Sequence, residues 1–528
     1  MKSTHDPLAD VRLYETTIDE MFCRAVARWP ERPLVVADGT HISFAEMEAL
    51  VDQASRGLLA LGVGPGDRVA LWMSNIWEWI VVQFAVTRIG AVLTPINTRL
   101  RVDDMAHIIS DCGATVLFTQ DTSMDFSYMK VMEEILEALG PDTTLRHVVV
   151  TRPTGAMAEP FGTWDDFIKG ACDGDPTPRP ATDPKELAYI LYTSGTTSLP
   201  KGVMLSHASL NNSINMARSF RDGDVNMMIY PLFAITGCHN TVLIALLHGG
   251  CVVMQERFEP VEALMLIERH RCTIIGCITN VLSEIAALPD FKTAKIDSLR
   301  VASIFPRRPE HMELLKRFGL EAASTGYGMT ETCGPVCFVA DLDPDSMASD
   351  GKPVPGDEVR LVTEDGREAA VDENGAILVR SPHNMIGYFN NPEATARTID
   401  DDGWVHTGDI GRWDAKGRMT WVARANDIIK CSGFNFAPEE VETYLASHDA
   451  IAEVAIVGVP DQGKGEIGAA FVVGNNGLTI ELEDLREFCA GRIASYKIPG
   501  HVFMRDKLPK TASGKVRKVE LKAWFIER

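Results

Sequence analysis

The chain has 528 residues, of which 45% are hydrophobic, so it is long enough for more than one hydrophobic core. Its formal charge of −22 argues against non-specific binding of nucleic acid. Eleven cysteines, an odd number without a C-x-x-C pair, favour neither a disulfide framework nor a zinc site, and a reducing cytoplasm is expected.

Apolar and amphipathic segments alternate from about residue 40 to residue 340. A predicted strand over 69–73 is followed by a predicted helix over 77–88 and a strand over 91–93. This alternation indicates layers of helices and sheets. A segment rich in Pro and Asp, over 173–184, is expected to be an exposed connection.

A loop rich in Gly, Ser and Thr follows the next predicted strand, over 187–191. The candidate phosphate-binding residues of this loop are Thr193, Ser194, Gly195, Thr196, Thr197 and Lys201. Glycine lets the backbone approach an anion, hydroxyl groups add donors and lysine adds charge, so we expect the loop to bind phosphate. The Walker pattern is excluded, because Lys201 is followed by an apolar, strand-like segment over 202–205 instead of Ser or Thr and a helix.

The region over 350–425 has a different pattern. Turn signals at 364–366 and 373–375 separate short β-rich runs, which predicts antiparallel sheet. We therefore expect an α/β fold whose large N-terminal domain, residues 1–425, combines layered α/β subdomains with a β-rich subdomain.

A separate, small α+β C-terminal domain is expected over residues 426–528. It contains predicted strands over 454–457 and 469–473 and a predicted helix over 482–494. Its last segment, 505–528, has eight Lys or Arg residues against three Asp or Glu. A solvated tail would explain this charge, and so would a site for a polyanion such as ATP or CoA.

Four segments, in order along the chain, resemble motifs of the adenylate-forming superfamily, which includes acyl-CoA ligases, luciferases and peptide-synthetase adenylation domains. They are the phosphate loop over 193–202, the segments 327–331 and 403–409, and the lysine-containing segment 509–515. The resemblance covers most of the chain. It implies an acyl-CoA ligase that activates a carboxylic acid with ATP and Mg²⁺ as an acyl-adenylate, and then transfers the acyl group to CoA.

The resemblance also implies roles for residues of the nucleotide site. Glu331 would hold Mg²⁺, an ion that takes one or two carboxylates beside phosphate oxygens. Thr330 would bond to the α-phosphate and Tyr327 would stack on adenine. Asp409 would accept hydrogen bonds from the ribose hydroxyls, and Arg424 would add a second ribose contact.

The same resemblance assigns the C-terminal domain two successive roles. Lys515 would bridge the carboxylate and the α-phosphate during adenylation. The small domain would then rotate about a hinge at Asn426, where the family usually has Asp or Lys, and would bring Lys430, Ser432 and Gly433 to the CoA tunnel.

An acid pocket is expected beside the nucleotide site, at Ala234, Gly237, His239, Ile304, Gly326, Gly328 and Cys333. Ala234 stands where amino-acid-activating domains carry an Asp. An amino acid substrate is therefore disfavoured and a bulky or hydrophobic acid is favoured. Ala234 is equally consistent with ordinary core packing.

The sequence departs from the family pattern at two places. The phosphate loop has Ser198 where Gly is usual, and the strand expected beside adenine has Ile304 and Phe305 where smaller residues are usual. Overpacking of this kind costs roughly 1–3 kcal/mol. If it weakens ATP binding, the chain performs only the thioester step, on an acyl-adenylate supplied by a separate adenylating enzyme. The alternative is that Ile304 and Phe305 shape the acid pocket.

Two hypotheses come from other functional classes, a luciferase-like oxygenase and a non-catalytic acyl- or nucleotide-binding protein. The expected partners are a small carboxylic acid and CoA, without nucleic acid, and a homodimer is compatible with the sequence. The amino terminus lacks an apolar signal core and no membrane span is predicted.

Overall fold

The structure is a computed structural model. It describes residues 15–124, 126–157, 159–169, 177–193, 200–210, 220–305, 307–431, 434–461, 463–490, 492–510 and 514–527. The chain divides into two compact units. Of the described residues, the first unit contains those up to Glu358 and those over Val379–Val405, and the second contains Val359–Leu378 and those from His406 onward.

The elements of the first half of the chain are, in order, α1 (Ile18–Arg28), β1 (Pro33–Ala37), β2 (Thr40–Ser43), α2 (Phe44–Ala60), β3 (Arg68–Trp72), α3 (Trp77–Arg88), β4 (Val92–Pro95), α4 (Val102–Cys112), β5 (Val116–Gln120), β6 (Thr122–Ser123), β7 (Phe126–Ser127), α5 (Tyr128–Leu139), β8 (His147–Thr151), β9 (Phe161–Thr163), α6 (Trp164–Lys169), β10 (Leu187–Thr193), β11 (Lys201–Ser206), α7 (His207–Leu210), β12 (Val225–Met228), α8 (Ile235–Cys238), α9 (Val242–His248), β13 (Cys251–Met254) and α10 (Pro260–Arg269).

The remaining elements are β14 (Ile274–Ile278), α11 (Thr279–Ala286), β15 (Val301–Phe305), α12 (Met312–Arg317), β16 (Ala322–Met329), β17 (Gly334–Asp341), β18 (Lys352–Pro353), β19 (Glu358–Val362), β20 (Asn374–Arg380), β21 (Gly387–Tyr388), α13 (Pro392–Thr398), β22 (Val405–Trp413), β23 (Met419–Arg424), β24 (Ile429–Cys431), β25 (Phe434–Phe436), α14 (Pro438–Leu445), β26 (Ile451–Asp461), β27 (Gly465–Gly474), α15 (Leu482–Cys489), β28 (His501–Met504) and α16 (Lys518–Ile526).

The first unit is built on two large sheets. Within the described ranges, one has nine strands in the order β18-β17-β16-β15-β14-β12-β13-β1-β2, and the other has eight in the order β21-β11-β10-β4-β3-β5-β8-β9. One hydrophobic core contains buried residues of both sheets and of helices α1, α2, α3 and α9. This helical layer therefore lies between the two sheets. It includes α3, whose residues from Glu78 onward are all buried.

The outer faces of the two sheets have cores of their own. Helices α10, α11 and α12 pack on the nine-stranded sheet, and α4 and α5 pack on the eight-stranded sheet. Each sheet is thus covered on both faces, which is typical of mostly parallel sheets. The result is the α/β layering that the sequence predicts.

The second unit contains two smaller sheets. The four-stranded sheet has the order β19-β20-β22-β23, and β22 and β23 form an antiparallel hairpin. The other sheet has the path β25-β24-β27-β26, with β28 paired parallel to β27. The β22–β23 hairpin and the C-terminal region both belong to this second unit. The domain boundary after Ala425 stays a prediction.

Most of the elements predicted from the sequence are present. The helix over 77–88 is α3, and the strand over 454–457 lies within β26. The helix predicted over 482–494 ends earlier, at Cys489, because Ala490 is in an extended conformation. No helix in the described part of the chain combines the length and apolar character needed to cross a bilayer. The cysteines within the described ranges are free thiols.

Candidate active site

A hairpin presents the predicted phosphate loop. Strands β10 and β11 pair antiparallel, and Thr193 is paired with Lys201 at the end of the ladder. Both side chains are half-buried. The other residues predicted for this loop, Ser194, Gly195, Thr196 and Thr197, lie outside the described residues, as does Ser198. The hairpin therefore fixes the two ends from which the loop departs.

Glu331 lies in a single 3-10 turn, Thr330–Thr332, directly after β16. Its side chain is 7% exposed, and its Oε1 accepts a hydrogen bond of 2.8 Å from the Tyr388 hydroxyl. Tyr388 also lies beneath the Lys201 ammonium, whose Nζ is 5.1 Å from the ring centroid. The structure therefore brings Glu331 and Lys201 to opposite parts of one tyrosine that the sequence analysis did not single out.

The Glu331 carboxylate suits a magnesium ion held together with phosphate oxygens. Among the described residues Tyr388 is its hydrogen-bond donor, and no cluster of three or more Asp, Glu, His or Cys residues could hold a metal. Mg²⁺ usually takes one or two protein carboxylates and completes its shell with water and substrate phosphates. A lone buried carboxylate fits that requirement, whereas it would not suit an ion bound by protein ligands alone.

Close packing against β17 requires glycine at two positions of β16. A Cβ at Gly328 would lie 2.0 Å from the carbonyl oxygen of Gly334, and one at Gly326 would lie 2.5 Å from that of Cys337. Strand β17 therefore approaches β16 too closely for any side chain at these positions. Tyr327, between the two glycines, is 6% exposed.

Several residues predicted for the acid pocket are buried in the packed interior. His239 has no exposed surface, and its ring nitrogens contact the carbonyl oxygen of Leu210 and the side chain of Asn240. Burial lowers the pKa of His239 to about 4, so the ring is neutral at physiological pH. Cys333 is likewise fully buried, and burial raises the pKa of its thiol well above the usual value.

Ala234 and Gly237 belong to the short helix α8. Ala234 is half-buried and precedes the first helical residue. A Cβ at Gly237 would lie 2.3 Å from the carbonyl oxygen of Pro231, so this glycine permits the chain to fold back on itself.

Ile304 and Phe305, adjacent in sequence, point to opposite faces of β15. Ile304 is 2% exposed and packs with Ala302 in the core under α10, α11 and α12. Phe305 is 52% exposed. Its parallel neighbour on β14 is Ile278, which is 51% exposed. The structure therefore places Ile304 and Phe305 on opposite sides of the sheet. Phe305 and Ile278 instead form an exposed apolar pair, the Ile278–Phe305 pair.

Tyr230 lies on the same face of the sheet as the Ile278–Phe305 pair. Its hydroxyl is 2.8 Å from the Cys277 carbonyl oxygen and 3.1 Å from that of Ser303. Its ring lies 3.3 Å from where a Cβ at Gly276 would be. These contacts hold the aromatic ring across the carboxyl ends of parallel strands, where open α/β sheets usually bind ligands. The sequence alone contains no signal that distinguishes Ile278 and Tyr230 from other apolar or aromatic residues near strand ends.

Asp409 and Arg424, predicted for the ribose site, form a pair within the second unit. They occupy paired positions of the β22–β23 hairpin, and Nε of Arg424 is 3.1 Å from Oδ1 of Asp409. Arg424 also donates to the Thr407 carbonyl oxygen, and the Thr407 hydroxyl accepts from the Asp409 backbone N–H. Asp409 is 3% exposed, and the Arg424 guanidinium lies beside its carboxylate.

The residues predicted for the hinge and the CoA tunnel follow this hairpin. Asn426 lies in the 3-10 turn Ala425–Asp427, and Lys430 is exposed on β24. Ser432 and Gly433 lie outside the described residues. Lys515 is exposed beside an antiparallel bridge between Lys510 and Val516.

Comparison with known proteins places these features in a family. The sequence profile of the AMP-binding enzymes matches residues 22–389, and that of the AMP-binding enzyme C-terminal domain matches residues 440–515. The chain is 34% identical over 529 aligned positions to the 3-(7a-methyl-1,5-dioxo-octahydro-1H-inden-4-yl)propanoyl:CoA ligase of Mycobacterium tuberculosis, covering 97% of this chain and 99% of that protein. It is 33% identical to 4-coumarate–CoA ligase 5 of Oryza sativa subsp. japonica, covering 92% and 90%.

A solved structure shows the same architecture. The crystal structure of the anthranilate CoA ligase AuaEII in complex with anthranoyl-AMP matches with a TM-score of 0.86 and 25% identity, covering 98% of each chain. The protein therefore belongs to the AMP-binding enzyme family, within the acyl-CoA ligase branch of the adenylate-forming superfamily, whose members are AMP-forming acid–thiol ligases that use ATP, Mg²⁺ and CoA.

Proposed function

We propose that the enzyme forms the CoA thioester of a bulky, ring-bearing, apolar carboxylic acid. The single observation that carries this proposal is the exposed Ile278–Phe305 pair beside Tyr230. Large apolar side chains are half exposed here, at the carboxyl ends of parallel strands, where α/β proteins bind their ligands. The acids named for the three similar proteins, an octahydroindenyl propanoate, coumarate and anthranilate, all carry a ring system.

The energetics favour an apolar ring over a small or charged acid. Burying a large apolar side chain is worth about 1.5–3 kcal/mol, so covering two half-exposed ones contributes on the order of 2 kcal/mol to binding. Tyr230 adds an aromatic surface that its hydroxyl contacts hold in place. An amino acid would have to leave its ammonium beside this apolar surface unpaired, which is unfavourable.

We assign the chemistry of the two steps as follows. The phosphate-loop hairpin, with Thr193 and Lys201 at its ends, binds the triphosphate, and Glu331 would hold Mg²⁺, which when bound neutralises the phosphate charge. The Asp409–Arg424 pair orients the ribose. Lys515 contacts the acid carboxylate and the α-phosphate during adenylation.

The second step uses other residues of the small domain. We propose that residues 426–528 rotate about Asn426 after pyrophosphate leaves, so that Lys430, Ser432 and Gly433 line the path of the CoA thiol. The thiol then attacks the acyl carbonyl carbon and AMP leaves. The free thiols within the described ranges support a cytoplasmic location.

We further propose that the ATP-dependent first step is retained. The expectation that Ile304 crowds adenine depends on its side chain facing the ligand, but that side chain packs in the core on the opposite face of β15. Phe305 is on the face away from this core, and its position beside Ile278 suits an acid pocket. A separate adenylating enzyme is then not required.

The test offers the purified enzyme CoA with either free acid plus Mg-ATP or the preformed acyl-adenylate, and follows acyl-CoA by mass spectrometry. The acids are a phenylpropenoic acid, an indole acid and an alicyclic keto acid, with acetate and an amino acid as controls. Product from both inputs, with ring-bearing acids preferred, is the expected result. Product from the adenylate alone would contradict the first step, and a preference for acetate would contradict the acid class.

A further inference from the structure

Tyr388 lies on β21, next to β11, the strand that carries Lys201. Strand β21 pairs antiparallel with β11, and Val203 is the register partner of Tyr388. The Tyr388 backbone N–H donates to the Thr395 hydroxyl at 2.9 Å, and the Phe389 N–H donates to the Gly202 carbonyl oxygen at 2.7 Å. Backbone contacts on both sides of Tyr388 therefore determine where its side chain points.

The same segment also contacts Glu331 through the backbone. The Met385 N–H donates to the Glu331 carbonyl oxygen at 2.8 Å, the length of the bond from the Tyr388 hydroxyl to Oε1. Glu331 is thus attached to the segment at two points, one on its main chain and one on its carboxylate. Tyr388 is 7% exposed, so water does not compete strongly for its hydroxyl.

The aromatic ring and the hydroxyl of Tyr388 contact different residues. The Lys201 ammonium lies over the ring, within the distance of about 6 Å at which a cation interacts with an aromatic face. The hydroxyl, at the far end of the side chain, bonds to Glu331. Among the described residues, neither Lys201 nor Glu331 is in an ion pair with an opposite charge.

A lysine and a glutamate in one partly buried site would otherwise neutralise each other. A direct pair would occupy the carboxylate oxygens and the ammonium protons that a metal-bound nucleotide needs. We infer that Tyr388 is a positioning residue that keeps Glu331 and Lys201 apart, with its hydroxyl orienting the carboxylate for the metal and its ring orienting the ammonium for phosphate. This inference depends on the proposed roles of Glu331 and Lys201.

Two substitutions separate the two contacts. Tyr388→Phe removes the hydroxyl and keeps the ring beneath Lys201, whereas Tyr388→Leu removes both contacts. Tyr444→Phe is the matched control, because it removes one tyrosine hydrogen bond, that to the Phe488 carbonyl oxygen, in the second unit.

The measurement is binding of Mn²⁺ with ATP, followed by electron paramagnetic resonance, and binding of ATP without metal, followed by calorimetry in the presence of chelator. A hydrogen bond to a charged group is typically worth about 1.5–3 kcal/mol, so Tyr388→Phe should weaken Mn²⁺–ATP binding roughly tenfold or more. Its affinity for metal-free ATP should stay unchanged. Tyr388→Leu should weaken both, because Lys201 and Glu331 can then pair, and Tyr444→Phe should weaken neither.

A second readout separates positioning from a role in folding. Thioester formation from preformed acyl-adenylate does not need the metal, so Tyr388→Phe should retain it at the wild-type rate while its Mg²⁺ requirement for adenylation rises. Equal loss of both half-reactions would assign Tyr388 to folding and overturn the inference. Unchanged Mn²⁺–ATP binding in Tyr388→Phe would overturn this inference alone, whereas no Mn²⁺–ATP binding by the wild type would overturn the nucleotide-site assignment as well.

Discussion

Arg424 and Asp409 face each other across the β22–β23 hairpin, with Nε 3.1 Å from Oδ1. Thr407 contacts both residues: its carbonyl oxygen accepts a hydrogen bond from the Arg424 guanidinium, and its hydroxyl accepts one from the Asp409 backbone N–H. The proposed ribose role of Asp409 depends on the remaining acceptor positions of this carboxylate.

Asp409→Asn should raise the KM for ATP roughly tenfold to a hundredfold, because hydrogen bonds to a charged acceptor are worth about 1.5–3 kcal/mol. Steady-state kinetics of pyrophosphate release measures the KM for ATP. The matched control is Asp414→Asn, which breaks the Asp414–Arg418 pair at the turn of the same hairpin. An equal rise in both variants would mean that the hairpin fold, and not the ribose contact, is responsible.

Ile304 and Phe305 should respond differently to truncation. Ile304→Ala leaves a cavity in a core and should cost about 2–5 kcal/mol of stability in urea unfolding of the large unit. Phe305→Ala removes an exposed ring and should change stability by less than about 1 kcal/mol while raising the KM for ring-bearing acids. The reverse pattern, with acid affinity sensitive to Ile304 and insensitive to Phe305, would contradict the proposed acid surface.

Asp357 should make stability depend on pH. The Asp357 side chain is fully buried, and burial raises its pKa from 3.8 to about 6, although a hydrogen bond from Ser381 opposes the shift. Since the folded-state pKa is above the unfolded value, the folded protein binds this proton more tightly. The free energy of unfolding therefore decreases as pH rises from about 4 to 6, and it stays at the lower value above pH 6.

Asp357→Asn removes this ionisation. At pH 8 the variant should be more stable than the wild type by roughly 2–3 kcal/mol, since each pKa unit corresponds to about 1.4 kcal/mol. At pH 4 the two should be nearly equal. His383 lies against this carboxyl, with Nε2 3.9 Å from Oδ1, and burial lowers the pKa of His383 to about 4. The ring is therefore neutral above about pH 5 and does not contribute to the change expected between about pH 5 and pH 8. A constant difference across this range would contradict the assignment.

Lys515 should matter for one half-reaction only. Lys515→Ala should abolish most ATP-dependent adenylation, because the charge between carboxylate and α-phosphate is lost, and should leave thioester formation from preformed adenylate nearly unchanged. Lys507→Ala removes an exposed lysine of the same basic segment and serves as the control. Single-turnover assays of each half-reaction measure both variants, and equal loss of both half-reactions in Lys515→Ala would be inconsistent with the proposed domain rotation.

The sequence alone was sufficient for features that depend on local chain geometry. Strand β10, the loop and strand β11 follow from an apolar run, a cluster of Gly, Ser and Thr, and a second apolar run. Helix α3 follows from a long apolar segment with a charged end. The motifs around Glu331, Asp409 and Lys515 were enough to indicate the family, because their residue types and order are specific.

The tertiary structure decided which side chains share a face and which distant residues meet. Ile304 and Phe305 are indistinguishable as apolar neighbours in sequence, and only the packing of helices on one side of β15 buries the first and exposes the second. Tyr388 reaches Glu331, which is 57 positions away, because β21 pairs with β11 and not with its neighbours in sequence. Strand pairing over such separations depends on the whole packed sheet, so no local pattern encodes it.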